Sequence, residues 1–159
     1  MPKFVHKNIE AINGKQQFRQ LVVVDDREDA RKIQKEIDEL EAVDEQVPYV
    51  GVLDEYENKL ESKYRSSFRS LLAIMDRVAN LQGLPVEKFR DITPDKQTVK
   101  EYEFKCQDLR VYAIKIANGK MILLGGYKNN QSEDISGFRS LKKEYLHSLE
   151  EDKKVKGKK

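Results

Sequence analysis

A chain of 159 residues with 38% apolar content can bury one core but is too short for several, so a single compact domain is expected. Charged residues make up 36%, yet the apolar residues fall in periodic blocks, which excludes wholesale disorder. No stretch is long and apolar enough for a signal peptide or a bilayer-crossing helix, and the chain reads as soluble, intracellular and cytoplasmic, with no membrane partner.

Residues 1–19 show no sustained period and read as an irregular amino-terminal arm ahead of a domain spanning 20–150. LVVVDD at 21–26 is a β-branched run, hence a strand ending at an acidic turn. From Arg27 to Val43, Ala30, Ile33, Ile37 and Leu40 recur at three- and four-residue steps, which predicts a helix. QVPYVG breaks it through Pro48 and Gly51. A second, longer helix is expected from about Leu53 to Gln82, polar in its first half and striped by Phe68, Leu71, Leu72, Met75, Val78 and Ala79 in its second. Gly83 and Pro85 end it.

After a proline-containing loop, Tyr102, Phe104 and Cys106 alternate with Glu101, Glu103 and Lys105, the pattern of a strand covered on one side. Cys106 is the only cysteine, which excludes an internal disulfide; in this setting it reads as a small buried hydrophobe. With only His6 and His147 beside it in type, no zinc spacing exists, and no metal or cofactor is expected. Gln107-Asp108 is a turn, Leu109, Val111 and Ala113 point away from Arg110 and Tyr112, and Asn118-Gly119 signals a hairpin into MILLGGY. Gly125-Gly126 lacks the spacing of a phosphate loop and reads as a site of close backbone packing. Ser132, Glu133 and Asp134 open a last helix striped by Ile135, Phe138, Leu141, Tyr145 and Leu149. EDKKVKGKK, residues 151–159, reads as a disordered basic tail.

The expected fold is α+β: a small curved antiparallel sheet, made of a three-stranded meander plus an edge strand from 21–26, packed by a two-helix hairpin and followed by a carboxy-terminal helix. The net charge of +2 hides an asymmetry. Residues 99–159 carry 14 Lys and Arg against 9 Asp and Glu, a surplus of 5 that leaves −3 for the remainder. Between Lys105 and Lys143, the most strongly patterned part of the chain, there are 8 basic and 3 acidic residues, and such a surplus is compatible with a phosphate-bearing partner.

The run KFRDIT, then YEFK, DLRVYAI, GKMILLGGYKNNQ and FRSLKKEYL, resembles the RelE/HigB-like toxins of bacterial type II toxin–antitoxin systems, over roughly residues 84–149. In that group a strand carrying Leu-Arg and an aromatic precedes an apolar strand, an aromatic-lysine pair, a glutamine and a helix. The resemblance implies a RelE-like scaffold and a ribosome-dependent endoribonuclease that cuts mRNA without a metal, restrained by a cognate antitoxin. The ribose 2′-OH would attack the adjacent phosphate while guanidinium and ammonium groups stabilise the charge that develops. Carried onto this chain, Arg110, Lys128 and Tyr127 are the candidate catalytic residues, and Lys88, Arg90, Lys105 and Tyr112 the candidate RNA contacts. For Arg110 the residues leave open a plain strand arginine paired with Glu101 or Glu103. The family commonly has a second basic residue after the aromatic-lysine pair, where this chain has Asn129-Asn130, and no histidine matches those that some relatives use. A second expectation follows: a non-catalytic protein-binding module on the same scaffold, either a ParE-like target inhibitor or a degenerate toxin.

Overall fold

The computed structural model describes residues 3–25, 27–85 and 87–157, with side chains described as far as residue 151. Among these residues six strands form one curved, mostly antiparallel sheet accompanied by four α-helices. The strands are β1 (Lys3–Asn8), β2 (Gln17–Val24), β3 (Phe89–Asp91), β4 (Glu101–Cys106), β5 (Leu109–Ile116) and β6 (Gly119–Tyr127). The helices are α1 (Ala30–Ala42), α2 (Val52–Lys59), α3 (Arg65–Ala79) and α4 (Gln131–Gly157).

The sheet order is β1-β2-β6-β5-β4-β3. The meander of β4, β5 and β6 is thus its centre, and β5 and β6 are buried on both faces over most of their length rather than on one. Two features differ from the expected layout. Residues 3–8 are not part of an irregular arm, because β1 pairs antiparallel with residues 19–24 of β2. Its sequence, KFVHKN, buries Val5 fully and leaves its other residues exposed or half-buried, so a strand at the rim of the sheet carries little apolar signal. The segment at 21–26 is not an edge strand either. β2 begins earlier, at Gln17, and lies between β1 and β6, parallel to the latter.

That parallel contact explains a glycine. At Gly119 a Cβ would sit 1.7 Å from the carbonyl oxygen of Gln17, so only hydrogen fits where β2 joins β6. The turn before it places Ala117 and Asn118 at the tip, with Asn118 in the left-handed region at φ 62° that asparagine tolerates. Gln107 takes the same conformation, φ 53°, in the tight turn between β4 and β5.

The free edge of β1 is closed by side chains of α1. Gln34 accepts from the His6 N–H at 2.9 Å and Glu41 from the Asn8 N–H at 2.6 Å, groups that would otherwise invite another strand. Asp29 caps α1 by accepting from the N–H groups of Arg31 and Lys32. α2 is capped from a distance: Gln20 of β2 accepts from Leu53 N and Asp54 N at 2.9 and 3.1 Å, while Asp54 accepts from Gly51 N at 3.0 Å.

The long helix expected over 53–82 is divided. Leu60 adopts an extended backbone, and a short 3-10 turn at Ser62–Tyr64 leads into α3. No proline or glycine causes this; the extended residue drives the Leu60 side chain into the core at 5% exposure.

Helices α1, α2 and α3 cover one face of the sheet. Phe18, Leu53, Phe68, Leu71, Met75, Phe104, Val111 and Ile122 share one buried cluster there, with Val5, Val22, Ile33 and Ile37 continuing it under α1. α4 covers the other face through Leu21, Tyr112, Met121, Leu123, Phe138 and Tyr145. α4 continues to Gly157, beyond residue 150 where the tail was expected to begin, and residues 158–159 lie outside the described residues. Among the described residues no helix is long and apolar enough to cross a membrane.

Candidate functional site

Cross-strand partners share a face of a sheet, so the register of β3, β4 and β5 sorts the candidate residues into rows on the face that α4 covers. At the turn end, Lys105 pairs with Arg110 and Arg110 with Gly126. The Lys105 N–H donates to the Lys88 carbonyl at 2.8 Å, and the Lys128 N–H to the Asp108 carbonyl at 2.8 Å. Lys88, Lys105, Arg110 and Lys128 therefore gather at one end of the meander, with Lys88 and Lys128 exposed and Lys105 half-buried. One row further in, Arg90 pairs with Glu103 and Glu103 with Tyr112.

Arg110 is 7% exposed. Its Nη1 donates to the carbonyls of Gln107 and Leu109 at 2.7 and 2.8 Å, which fixes the plane of the guanidinium. Its Nε is enclosed and has no hydrogen-bond partner. Among the described residues Arg110 forms no ion pair with a carboxylate, so the pairing with Glu101 or Glu103 that the sequence left open does not occur.

Those two glutamates are engaged elsewhere. Glu103, fully buried, accepts from Arg90 Nε at 2.8 Å and from the Gln131 side-chain amide. Glu101, 1% exposed, accepts from Arg139 Nε at 2.9 Å and Lys142 Nζ at 2.8 Å. Asp134, near the start of α4, lies over Gly126, where a Cβ would come within 2.0 Å of its Oδ2. It accepts from the Tyr127 N–H at 3.3 Å and the Asn130 amide at 3.1 Å.

Tyr112 is fully buried and stacks on Phe138, with ring centres 5.6 Å apart. Burial, reinforced by the Glu103 and Asp134 carboxylates, raises its phenol well above the ordinary tyrosine value and keeps it protonated. Tyr127 points to the other face of the sheet. Its ring packs against Tyr64 and Tyr56 at 5.5 and 6.2 Å, and burial pushes its pKa up as well. Arg110 and Tyr127 are therefore separated by the thickness of the sheet, while Lys128 stays at the Arg110 end.

Sequence reasoning weighed Glu101 and Glu103 only as partners of Arg110, counted Gln131 only as part of the family pattern, and passed over Arg139 and Lys142. The alternation Glu101-Glu103-Lys105 reads as a solvated face until a helix is placed over it; the signal was the cation pair at i and i+3 in α4, buried Lys142 and exposed Arg139. Lys120 was also passed over. Its ammonium, 8% exposed as a residue, sits 4.8 Å from the Tyr102 ring centre and 5.7 and 5.8 Å from those of Phe89 and Phe18. Burial, helped by Lys115, lowers its pKa. It faces the helices α1–α3, away from Arg110.

Among the described residues no group of three His, Cys, Asp or Glu is arranged to hold a metal ion. No protein-family model, curated protein or solved structure matches this chain.

Proposed function

We propose that the chain grips the phosphodiester backbone of RNA at the Arg110 end of the meander and, as a toxin-like protein, cleaves mRNA on the ribosome under the restraint of an antitoxin. The observation that carries this reading is a guanidinium nine-tenths buried, locked in orientation by two main-chain carbonyls and left without a carboxylate partner. Burying a cation is costly unless a counter-charge meets it, and a phosphate oxygen at Nη2, the terminal nitrogen that neither carbonyl engages, supplies one. Lys88, Lys105 and Lys128 around it suit successive phosphates of a single strand.

In cleavage, Arg110 would hold the scissile phosphate and stabilise the pentavalent dianion. Lys128 and Lys105 are the groups at that end that could carry protons to and from the ribose oxygens. Tyr127 takes no part, given its place among Tyr56 and Tyr64 on the opposite face. The part of the fold that supports a RelE-like scaffold is the three-stranded meander followed by a helix.

The displacement of Tyr127 favours a second reading, a non-catalytic module on the same scaffold that binds without cutting. Expression in bacteria with mapping of mRNA ends separates the two. The nuclease reading expects growth arrest and new 5′ ends, both relieved by Arg110→Ala, with a rate loss of about a hundredfold or more. Intact mRNA in a ribosome-containing extract rejects it.

A further inference from the structure

On the face away from Arg110, a groove of about 1440 Å³ runs between the loop that joins β1 to β2, the 44–50 segment and the helices α2 and α3. Its position is fixed by its floor: Phe18, Leu53 and Phe68 belong to the cluster that contains Val111, and Val111 faces opposite to Arg110. Apolar side chains reach its surface, with Val50 at 62% exposure and Val47, Tyr49 and Leu72 half-buried.

The charges along its walls are one-sided. Lys7 and Asp54 neutralise each other at 2.6 Å, and Glu41 is taken by Arg19 at 3.3 Å. Glu10, Asp44, Glu45 and Glu57 also line the groove, and none of them forms an ion pair among the described residues; Lys15 is the one cation opposing them there. The carboxylates stand on three separate segments yet surround a single apolar trough. Such a surface repels a nucleic acid and attracts cations that carry apolar anchors between them.

We infer that this groove docks a lysine- and arginine-rich amphipathic segment of another protein, its apolar side chains seated against Val47, Val50 and Leu72 and its cations on the four carboxylates. This inference is independent of the RNA reading, since the two surfaces lie on opposite faces of the sheet.

A fluorescein-labelled synthetic peptide of alternating Lys and Leu pairs, about five turns long if helical, serves as the probe for the full chain in fluorescence anisotropy. A peptide with Glu in place of every Lys is the control. The basic peptide is expected to bind and the acidic one not to. The double charge reversal Glu45→Lys, Glu57→Lys should weaken binding by about tenfold or more at low salt, whereas Arg110→Ala should leave it unchanged. Glu45 is exposed and Glu57 half-buried, and a thermal melt of the double variant verifies that it is folded. Failure of the basic peptide to bind, or equal binding to the charge-reversed variant, would overturn the inference.

Discussion

His6 accepts a hydrogen bond from Arg19 Nε through its Nδ1, and its pKa is pulled down to about 4, first by burial and then by the Arg19 charge, against a smaller opposing pull from Asp38. The unfolded chain, with histidine near its ordinary value of about 6.5, binds the proton more readily than the native state does. Stability present at neutral pH should therefore drain away as the pH falls from about 6.5 towards 4, by up to on the order of 3 kcal/mol. Urea melts across that range check it: His6→Gln should flatten this limb and leave the carboxylate-driven loss at lower pH. Gly125 allows a second test at a single position. A Cβ there would approach Cγ of Tyr56 to 2.5 Å, and the Tyr56 hydroxyl is anchored to the Gly126 carbonyl at 2.7 Å, so the ring has no room to retreat. Gly125→Ala should cost about 1–3 kcal/mol in chemical denaturation. This close packing was legible in the sequence, because a Gly-Gly pair at the end of an apolar strand, without the strand–loop–helix spacing of a phosphate loop, leaves close packing against the backbone as its reason. The fate of Arg110 was not legible: alternation assigns it a face but cannot say that a helix will cover that face and take the nearby glutamates for itself.

At the scale of elements, α4 is tied to the sheet by two buried glutamates as well as by its apolar stripe. Lys142, 3% exposed, joins Glu101 to the Val99 carbonyl, at 2.8 and 2.7 Å. Lys142→Ala would leave Glu101 buried with Arg139 as its remaining cation, and a loss of about 3 kcal/mol in chemical denaturation is expected. The double variant Glu101→Leu, Lys142→Met should lose less than Lys142→Ala, because it removes the stranded charge together with its partner. The stripe of Phe138, Leu141 and Tyr145 announced this helix; its clamps went unread because Arg139 and Lys142 look like ordinary solvated residues in a charged segment. The break between α2 and α3 was hidden for a different reason. A helical period survives a short interruption, and Leu60 leaves the helix for a tertiary contact that no local residue signals. The strand β1 escaped because an edge strand with one buried side chain has almost no pattern to find.

In the whole molecule, Lys88, Lys105, Arg110 and Lys128 gather at one end of the meander, with Asp108 and Asp134 beside them, and an acidic groove lies on the other face of the sheet. The modest overall charge of +2 conceals this arrangement, and the charge asymmetry along the chain is only partly its trace, because residues 151–159 carry 5 lysines against 2 acidic residues. The strand meander and the following helix were equally visible. The parallel docking of β2 against β6 was not, since a β-branched run declares itself a strand without naming its neighbour. The measurement that bears most directly on the central claim is the affinity of a single-stranded oligoribonucleotide for the intact protein and for Arg110→Ala, taken at two salt concentrations. Wild-type binding is expected to weaken steeply with salt, and the variant to bind about tenfold or more weakly with a shallower salt slope. Equal affinities and equal slopes would contradict it.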